Sequence, residues 1–274
     1  MFDQLFATFS EAFSDYVFPF ALTETQFRNH LRLNAVDLSR TVGCFDGDRM
    51  IGFSLNGFGE WRGRPTVYDA GTGVIPSERR RGVSRAMFAV MLPAFEQMGL
   101  EQFLLEVITT NAGAIRLYET LDFEPTRELA LLQCDGSVKP AISSPAVDFR
   151  EIEHPDWAHL QTFWDGSPSW QNSPEAVDRS RPLKRIVGAF DGDKCVGYVV
   201  FSANFGRLAQ LAVTPKYRNR GIGSALVQRT QSEAASGFSI QVINVDKSLP
   251  DAINFFRNRG FYERLSQYEM IRHI

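Results

Sequence analysis

The stretch VIPSERRRGVSRAM, residues 74–87, returns as VTPKYRNRGIGSAL, residues 213–226, at an offset of 139. Each copy has an apolar run ending at a proline, a short basic loop, a glycine, and then apolar residues at helical spacing, which predicts a strand, a loop and a helix in succession. Working outward, FDGDRMIGF (45–53) returns as FDGDKCVGY (190–198) at an offset of 145, and AIRLYETLDF (114–123) returns as AINFFRNRGF (252–261) at 138. Three unlike phrases kept in one order mark an internal duplication. The drop from 145 to 139 places a deletion of about six residues in the second copy, in the loop equivalent to 57–64. Between the copies, CDGSVKPAISSPAV (134–147) is rich in Pro, Ser and Gly and reads as a linker or crossover. The expected organisation is an N-terminal domain of residues 1–138, a linker of 139–147 and a C-terminal domain of 148–274.

The remaining elements follow from periodicity. Apolar runs on either side of Gly47-Asp48 and of Gly192-Asp193 predict two β-hairpins. In the first copy a helix is expected within 24–33, strands near 39–45, 50–55 and 66–74, and a helix over 82–98, in which Pro93 predicts a kink or early stop. An almost wholly apolar strand at 102–108, a helix over 111–121 and a last strand at 127–132 complete it. The second copy repeats the order, with strands near 185–190, 195–201 and 206–213, a helix over 221–236, a strand at 239–243, a helix at 251–258 and a strand at 266–271. The fold class is α/β, each copy a mixed sheet with helices on both faces.

The basic loops carry the chemistry. The first turn of a helix leaves its N–H groups unpaired and its dipole favours negative charge, so a strand that enters a helix through glycine makes an anion site. Gly82, Gly221 and Gly223 allow close backbone approach, and Arg79, Arg81, Arg218 and Arg220 can add charge-assisted bonds. The plainer alternative is that the glycines turn the chain and the arginines are solvated. Neither loop has the Gly-Lys-Ser or Gly-Lys-Thr of the Walker phosphate loop, which argues against nucleoside triphosphate hydrolysis.

These motifs resemble the acetyl-coenzyme A loop of the GNAT superfamily of N-acetyltransferases: Val74-x-Pro-x-x-Arg-x-x-Gly-x-Ser in the first copy and Val213-x-Pro-x-x-Arg-x-x-Gly-x-Gly in the second. The later Asn111-x-x-Ala-x-x-x-Tyr-x-x-x-x-Phe resembles that family's second cofactor segment. The resemblance implies two tandem GNAT-like domains, each a mixed, mostly antiparallel sheet flanked by helices. It implies acetyl-coenzyme A as acyl donor, bound by Val74, Ile75, Arg79, Arg80, Arg81, Gly82, Val83, Ser84, Arg85 and Asn111, and by Val213, Arg218, Asn219, Arg220, Gly221, Ile222, Gly223 and Ser224. It also implies a carbonyl held by a backbone N–H where two parallel strands splay, and a tyrosine that protonates the departing sulfur. Tyr118 matches that tyrosine, and an ordinary pKa near 10 keeps such a donor protonated at neutral pH. Its place beside Ala114, Leu117 and Leu121 is equally that of a core residue.

The second copy departs from the pattern, with Phe256 at the matching position and DKSLPD in place of a secure Asn111 equivalent. It nevertheless keeps the fuller glycine loop, where the first copy has Ser84. The first copy is expected to catalyse, and the second to bind donor without turnover or to serve as scaffold. For a general base, Asp69 in YDAGTGV is either a partly buried carboxylate of raised pKa or a bulge residue capping local N–H groups. Glu106 in LLEVI is a further candidate, with a salt bridge as the alternative. Trp157, Phe163, Trp164 and Trp170 either line an acceptor pocket or pack in the core, and the loop GFGEWRGRP is expected to face solvent.

Composition limits the partners. Twenty-nine Lys and Arg against 32 Asp and Glu give a net charge of −3, without the broad positive face of a nucleic-acid binder. The four histidines show no metal-ligand spacing, and Cys44, Cys134 and Cys195 indicate neither a disulfide framework nor a metal site. No metal, membrane span or signal peptide is expected. The expectation is a cytoplasmic enzyme acting on a small-molecule amine acceptor, as a monomer or homodimer; a non-catalytic acyl-coenzyme A sensor is the alternative.

Overall fold

The computed structural model describes residues 1–16, 21–140, 146–234 and 239–274. They form two compact units, one of residues 1–126 with 269–274 and one of residues 127–268.

The first unit opens with α1 (Phe2–Ala12) and α2 (Glu24–Leu33). A capping box starts α2, the Thr23 hydroxyl accepting from Gln26 N–H while the Gln26 side chain accepts from Thr23 N–H. A two-residue turn, with Gly47 at φ 56°, joins β1 (Val42–Asp46) to β2 (Arg49–Trp61), and a second turn of Arg62 and Gly63, at φ 53° and 77°, joins β2 to β3 (Arg64–Val74). Residues 57–64, expected as an open loop, are therefore mostly strand, with Phe58 opposite Val67 and Trp61 opposite Arg64. Next come α3 (Val83–Gln97), β4 (Gln102–Ile108), α4 (Ala112–Glu119) and the start of β5 (Glu124–Cys134). Pro93 neither stops nor shortens α3, because it stands on the exposed side of the helix, where water can satisfy the freed carbonyl.

The sheet of this unit runs β1-β2-β3-β4, with β3 and β4 parallel and the chain's last residues next to β4. Helices cover both faces. Phe9 of α1 stacks with Phe27 of α2 and Phe53 of β2 on one, and Phe88 and Phe95 of α3 meet Phe103 of β4 on the other.

The second unit contains most of β5, then β6 (Asp148–Glu151), α5 (Trp157–Gln161), α6 (Pro174–Arg179), β7 (Arg185–Asp191), β8 (Lys194–Ser202), β9 (Arg207–Val213), α7 (Ile222–Glu233), β10 (Ile240–Asp246), α8 (Pro250–Asn258) and the first part of β11 (Tyr262–His273). Its order is β5-β10-β9-β8-β7-β6, with β10 parallel to β9 and antiparallel to β5. Residues 235 and 236, expected at the end of α7, and 141–145 of the linker lie outside the described residues.

The units exchange strands, which corrects the expected pairing. Residues 127–132 do not close the first unit's sheet; they pair with β10, Leu132 opposite Val242. Residues 269–274 close the first unit instead, where Ile274 N–H donates to Glu101 O (3.0 Å) and the buried Glu269 accepts from Thr126 Oγ1 (3.0 Å). Apolar alternation marks a segment as a strand but leaves its neighbour open, so the compact units follow a different division from the repeat boundary at 139–147.

Candidate functional site

Each repeated loop folds into a nest of backbone N–H groups. Beyond β3, a single 3-10 turn at Pro76–Glu78 leads to Arg80 and Gly82, both in the left-handed region (φ 64° and 81°). Beyond β9, Pro215–Tyr217 leads to Asn219 and Gly221 (φ 60° and 82°). Left-handed residues in such a run turn successive N–H groups toward one concave volume. Gly82 and Gly221 are the N-caps of α3 and α7, and no side chain caps either helix. The first bonds closing these helices are Ala86 N–H to Gly82 O (2.9 Å) and Ala225 N–H to Gly221 O (3.0 Å). The N–H groups of Val83, Ser84 and Arg85, and of Ile222, Gly223 and Ser224, precede them and are the ones a helix leaves for a ligand. Gly223 has another task, since a Cβ there would sit 3.3 Å from the Phe255 ring of α8. In the first unit the counterparts of Gly223 and Phe255 are Ser84 and the smaller Leu117.

Arg79 and Arg218 do not reach toward the nests as expected. Arg79 donates from Nε to Val74 O (3.1 Å) and from Nη2 to Ala12 O (2.8 Å), and its Nη1 meets Asp15 (2.7 Å). Arg218 repeats the pattern with Val213 O (2.9 Å), Phe163 O (3.0 Å) and Asp165 (2.9 Å). Both turn inward because a strand end, a helix end and a carboxylate offer five donors a fixed set of acceptors, which outweighs solvent. Arg81 pairs with Glu78, Arg220 lies 4.9 Å from the Tyr217 ring, and Arg80 and Arg85 are exposed.

Next to each nest the two parallel strands part. The ladder between β3 and β4 holds three pairs, ending at Tyr68 and Leu104, and that between β9 and β10 two, ending at Leu208 and Val242. Beyond these points the strands offer backbone groups to an inserted chain with amides of its own.

In the first unit Asp69 lies at this fork. It is a bulge residue and a buried carboxylate at once, so its two expected readings coincide: Leu55 pairs Gly71 and Asn56 pairs Asp69, leaving Ala70 as the extra residue. Its carboxylate is buried, Oδ1 accepting from Gly71 N–H (2.8 Å) and Oδ2 from Thr72 Oγ1 (2.8 Å). Tyr118 Oη lies 3.5 Å from Oδ2. Burial pushes Asp69 up to about 6, against the pull of the Thr72, Gly71 and Tyr118 hydrogen bonds. Burial also raises Tyr118 well above the usual phenol range, helped by the Asp69 charge and by Tyr16. The Tyr118 ring itself belongs to the core, edge-on to Phe88 and Phe123.

Asn111 caps α4, accepting from Ala114 N–H (3.2 Å), and hydrogen-bonds Tyr16, whose pKa is raised by burial. Glu106 is not brought to Asp69. It accepts from the Tyr68 hydroxyl, and strand alternation puts Tyr68 and Glu106 on the α1/α2 face, away from Phe103. Three residues of the site escaped the sequence reading. Tyr16 follows a helix end with no motif of its own. Thr72 follows Asp69 by three residues in an Asx-type turn that D-A-G-T could have suggested. His30 places Nε2 2.7 Å from Ala70 O and has its Nδ1 3.2 Å from Asn34 Nδ2, bracing the bulge from α2.

The second unit keeps the fork without these groups. Phe256 stands where Tyr118 does and Leu208 where Asp69 does, both buried. Between β9 and β10 a cleft of about 740 Å³ extends from the loop of Arg218 to Ser224, with Phe163 and Trp164 in its wall, while Trp170 is buried. Among the described residues no group of His, Cys, Asp or Glu could hold a metal ion, and no helix is long and apolar enough to cross a membrane.

Comparison with known proteins agrees with this architecture. The model of the Acetyltransferase (GNAT) family matches residues 2–123 and again 147–261. A ribosomal protein bS18-alanine N-acetyltransferase of Escherichia coli is 32% identical over 91 residues, 31% of this chain, and the chain spans 62% of the length of this curated relative. A GCN5-related N-acetyltransferase from Sphaerobacter thermophilus shares the fold with a TM-score of 0.72 at 16% identity, covering 98% of this chain and 91% of that one. A tandem GNAT protein from the clavulanic acid biosynthesis pathway does so with a TM-score of 0.69 at 15% identity, covering 99% and 94%. With both halves of the chain matched by the family model, the chain belongs to the acetyltransferase (GNAT) family and carries two of its domains in tandem.

Proposed function

We propose that the first unit transfers an acetyl group from acetyl-coenzyme A to a primary amine of a small acceptor, and that the second holds an acyl-coenzyme A without turnover. The observation that carries the reading is the buried Asp69 at the fork with the Tyr118 hydroxyl 3.5 Å away. Acetyl-coenzyme A is a substrate here and supplies an activated thioester. In the net change a C–N bond forms, the C–S bond breaks, one proton leaves the amine and one reaches the sulfur.

Asp69, ionised above about pH 6, takes the proton from the amine through water. Tyr118, kept protonated by its raised pKa, gives a proton to the thiolate and recovers one afterwards from Asp69 or solvent. The nest of Arg80 to Arg85 takes the donor's pyrophosphate, and backbone groups of β3 and β4 past the fork take its amide-bearing arm. Arg79 acts one step back, fixing the loop to α1 and β3. Asn111 and Tyr16 border the fork on the side of α4. Glu106 faces the opposite side of the sheet, the position for an acceptor ammonium rather than for the proton exchange.

For the second unit the supporting observation is the cleft of about 740 Å³ with Phe256 and Leu208 in place of an acid and a base. The test is free-thiol release over a panel of amines, run on wild type, Tyr118→Phe and Phe256→Tyr, beside a titration of bound acetyl-coenzyme A. Turnover lost in Tyr118→Phe, with two donors bound per chain, is the expected result. Turnover within twofold of wild type removes Tyr118 from the mechanism.

A further inference from the structure

In the second unit a line of hydrogen bonds crosses the fork. The Trp164 indole can only donate, so it gives its N–H to Tyr198 Oη (2.5 Å), and the Tyr198 proton goes on to Gln210 Oε1 (2.7 Å). That fixes the Gln210 amide, whose nitrogen donates to Asn172 O, and the Asn172 side chain donates in turn to Ile243 O (2.8 Å). Gln210 belongs to β9 and Ile243 to β10, both beyond the last pair of the ladder at Leu208 and Val242, so Asn172 ties the parted strands together. Tyr198, Gln210 and Asn172 are buried, and burial raises the Tyr198 pKa, which keeps it a donor.

The segment that supplies Trp164 and Asn172 is anchored along its length. Arg218 holds Phe163 O and Asp165, Arg127 donates to Ser167 O (2.7 Å) and Pro168 O (3.2 Å), and Asn244 of β10 donates to Ser169 Oγ (2.9 Å). It is a wall rather than a lid. Tyr198 packs with Leu160 and Val177 on the α5/α6 face and Gln210 is bonded to it there, whereas the Gly221 nest opens α7, which packs on the other face. The first unit has no such line. The bulge leaves Ala209 as its extra residue just as it leaves Ala70, so Gln210 matches Gly71 and Tyr198 matches Phe53, and neither of these has a side-chain donor or acceptor. A Cβ on Gly71 would come no nearer than 3.9 Å to Leu55 and Phe9, so the first unit keeps open space where Gln210 stands.

The cleft of about 740 Å³ is lined by Gly221 and Ser224 of the nest and by Trp164, Gln210 and Asn172. We infer that Gln210 and Asn172 form its end wall and restrict the second unit to coenzyme A carrying short acyl groups such as acetyl. This rests on the reading that the cleft holds an acyl-coenzyme A: with the phosphates at the nest on the α7 side and the arm passing between the parted strands, the acyl end arrives at Gln210 and Asn172. A longer aliphatic chain has to displace one of them. Moving Gln210 leaves the buried Tyr198 hydroxyl without its acceptor, and moving Asn172 leaves Gln210 and Ile243 O without theirs, while apolar carbon returns no hydrogen bond for those broken.

Equilibrium titration of the full chain with acetyl-, butyryl- and hexanoyl-coenzyme A tests it, the second-unit site being the one that Arg218→Lys weakens. In the wild type that site should bind hexanoyl-coenzyme A about tenfold or more weakly than acetyl-coenzyme A, with butyryl-coenzyme A between them. Gln210→Gly combined with Asn172→Ala should bring the three within about threefold of one another, while acetyl-coenzyme A affinity at this site and all affinities in the first unit stay within about threefold of wild type. Gln210→Gly alone, which keeps the bond from Asn172 to Ile243, should recover part of the difference and decides the matter where the double variant does not fold. Hexanoyl- and acetyl-coenzyme A bound equally by the wild type, or a gap that survives both variants, overturns the wall. A second-unit site that binds none of the three overturns the proposed holding role itself, and the wall with it.

Discussion

Replacing Asp69 with asparagine should make the protein more stable and less active, and the size of the gain follows from the site. Raising a buried carboxyl from 3.8 to about 6 costs the folded state about 3 kcal/mol once the group is ionised. The sign is fixed by proton uptake. Between about pH 4 and 6 the folded protein binds more protons than the unfolded chain at this group, so stability falls as pH rises through that window and is flat above it. The substituted amide would not lack partners. Its oxygen can accept from Gly71 N–H as the carboxylate does, and its nitrogen can donate to Thr72 Oγ1, whose hydroxyl then turns toward Ser54 Oγ at 3.0 Å and Ser54 toward Asn56 Oδ1 at 3.2 Å. Urea denaturation at pH 7.5 and pH 4 provides the assay. Asp69→Asn should gain up to about 3 kcal/mol at the higher pH and almost nothing at the lower, with thiol release slowed at least a hundredfold. A variant that is less stable than wild type at pH 7.5, or a gap that does not change with pH, would refute the account of Asp69 as a carboxylate held at a cost.

Three further outcomes are expected. In the wild type, kcat/KM should rise with pH through about 6 as Asp69 ionises, and Asp69→Asn should lose that limb. Tyr118→Phe should lower kcat by about 100-fold or more with donor KM within twofold and little loss of stability, because the ring contacts with Phe88 and Phe123 survive. Arg79→Lys should weaken donor binding about tenfold by losing the fork of bonds to Val74 O, Ala12 O and Asp15, with Arg218→Lys doing the same in the second unit; equilibrium titration of each variant measures it, and affinities within twofold of wild type would show that the inward bonds do not hold the loops.

Most of the scaffold was legible because it repeats. Gly47 and Gly192, the prolines at 76 and 215 and the glycines at 82 and 221 each fix a local conformation, and local conformation is what sequence encodes most directly. Residues 57–64 were misread because glycine and a Trp-Arg pair resemble loop chemistry, whereas strand pairing with 64–67 decides their state. The strand exchange was hidden for a related reason: nothing in 127–132 or 269–274 distinguishes one sheet edge from another. Asp69 and Tyr118, which the fold brings within 3.5 Å of each other, are singled out in the sequence by pattern and resemblance. The direction of Arg79 and Arg218 was not, since an arginine in a basic loop is as ready to satisfy carbonyls behind it as an anion ahead, and only the positions of Ala12 and Phe163 decide between them.

The two copies show which parts of such a site are separable. In the proposed function, holding a phosphate depends on left-handed backbone at two loop positions and on one arginine bonded to a strand end and a helix end, and these features are the same in both units. In the same proposal, moving protons depends on side chains at the fork, and there the units differ: Asp69 and Tyr118 in one, Leu208 and Phe256 in the other. Because the holding parts are backbone conformations fixed by glycine and by inward bonds, exchanging the fork residues leaves them undisturbed. A buried carboxylate is a burden on the fold that a leucine is not, and the second unit, with Leu208 at that position, does not carry it.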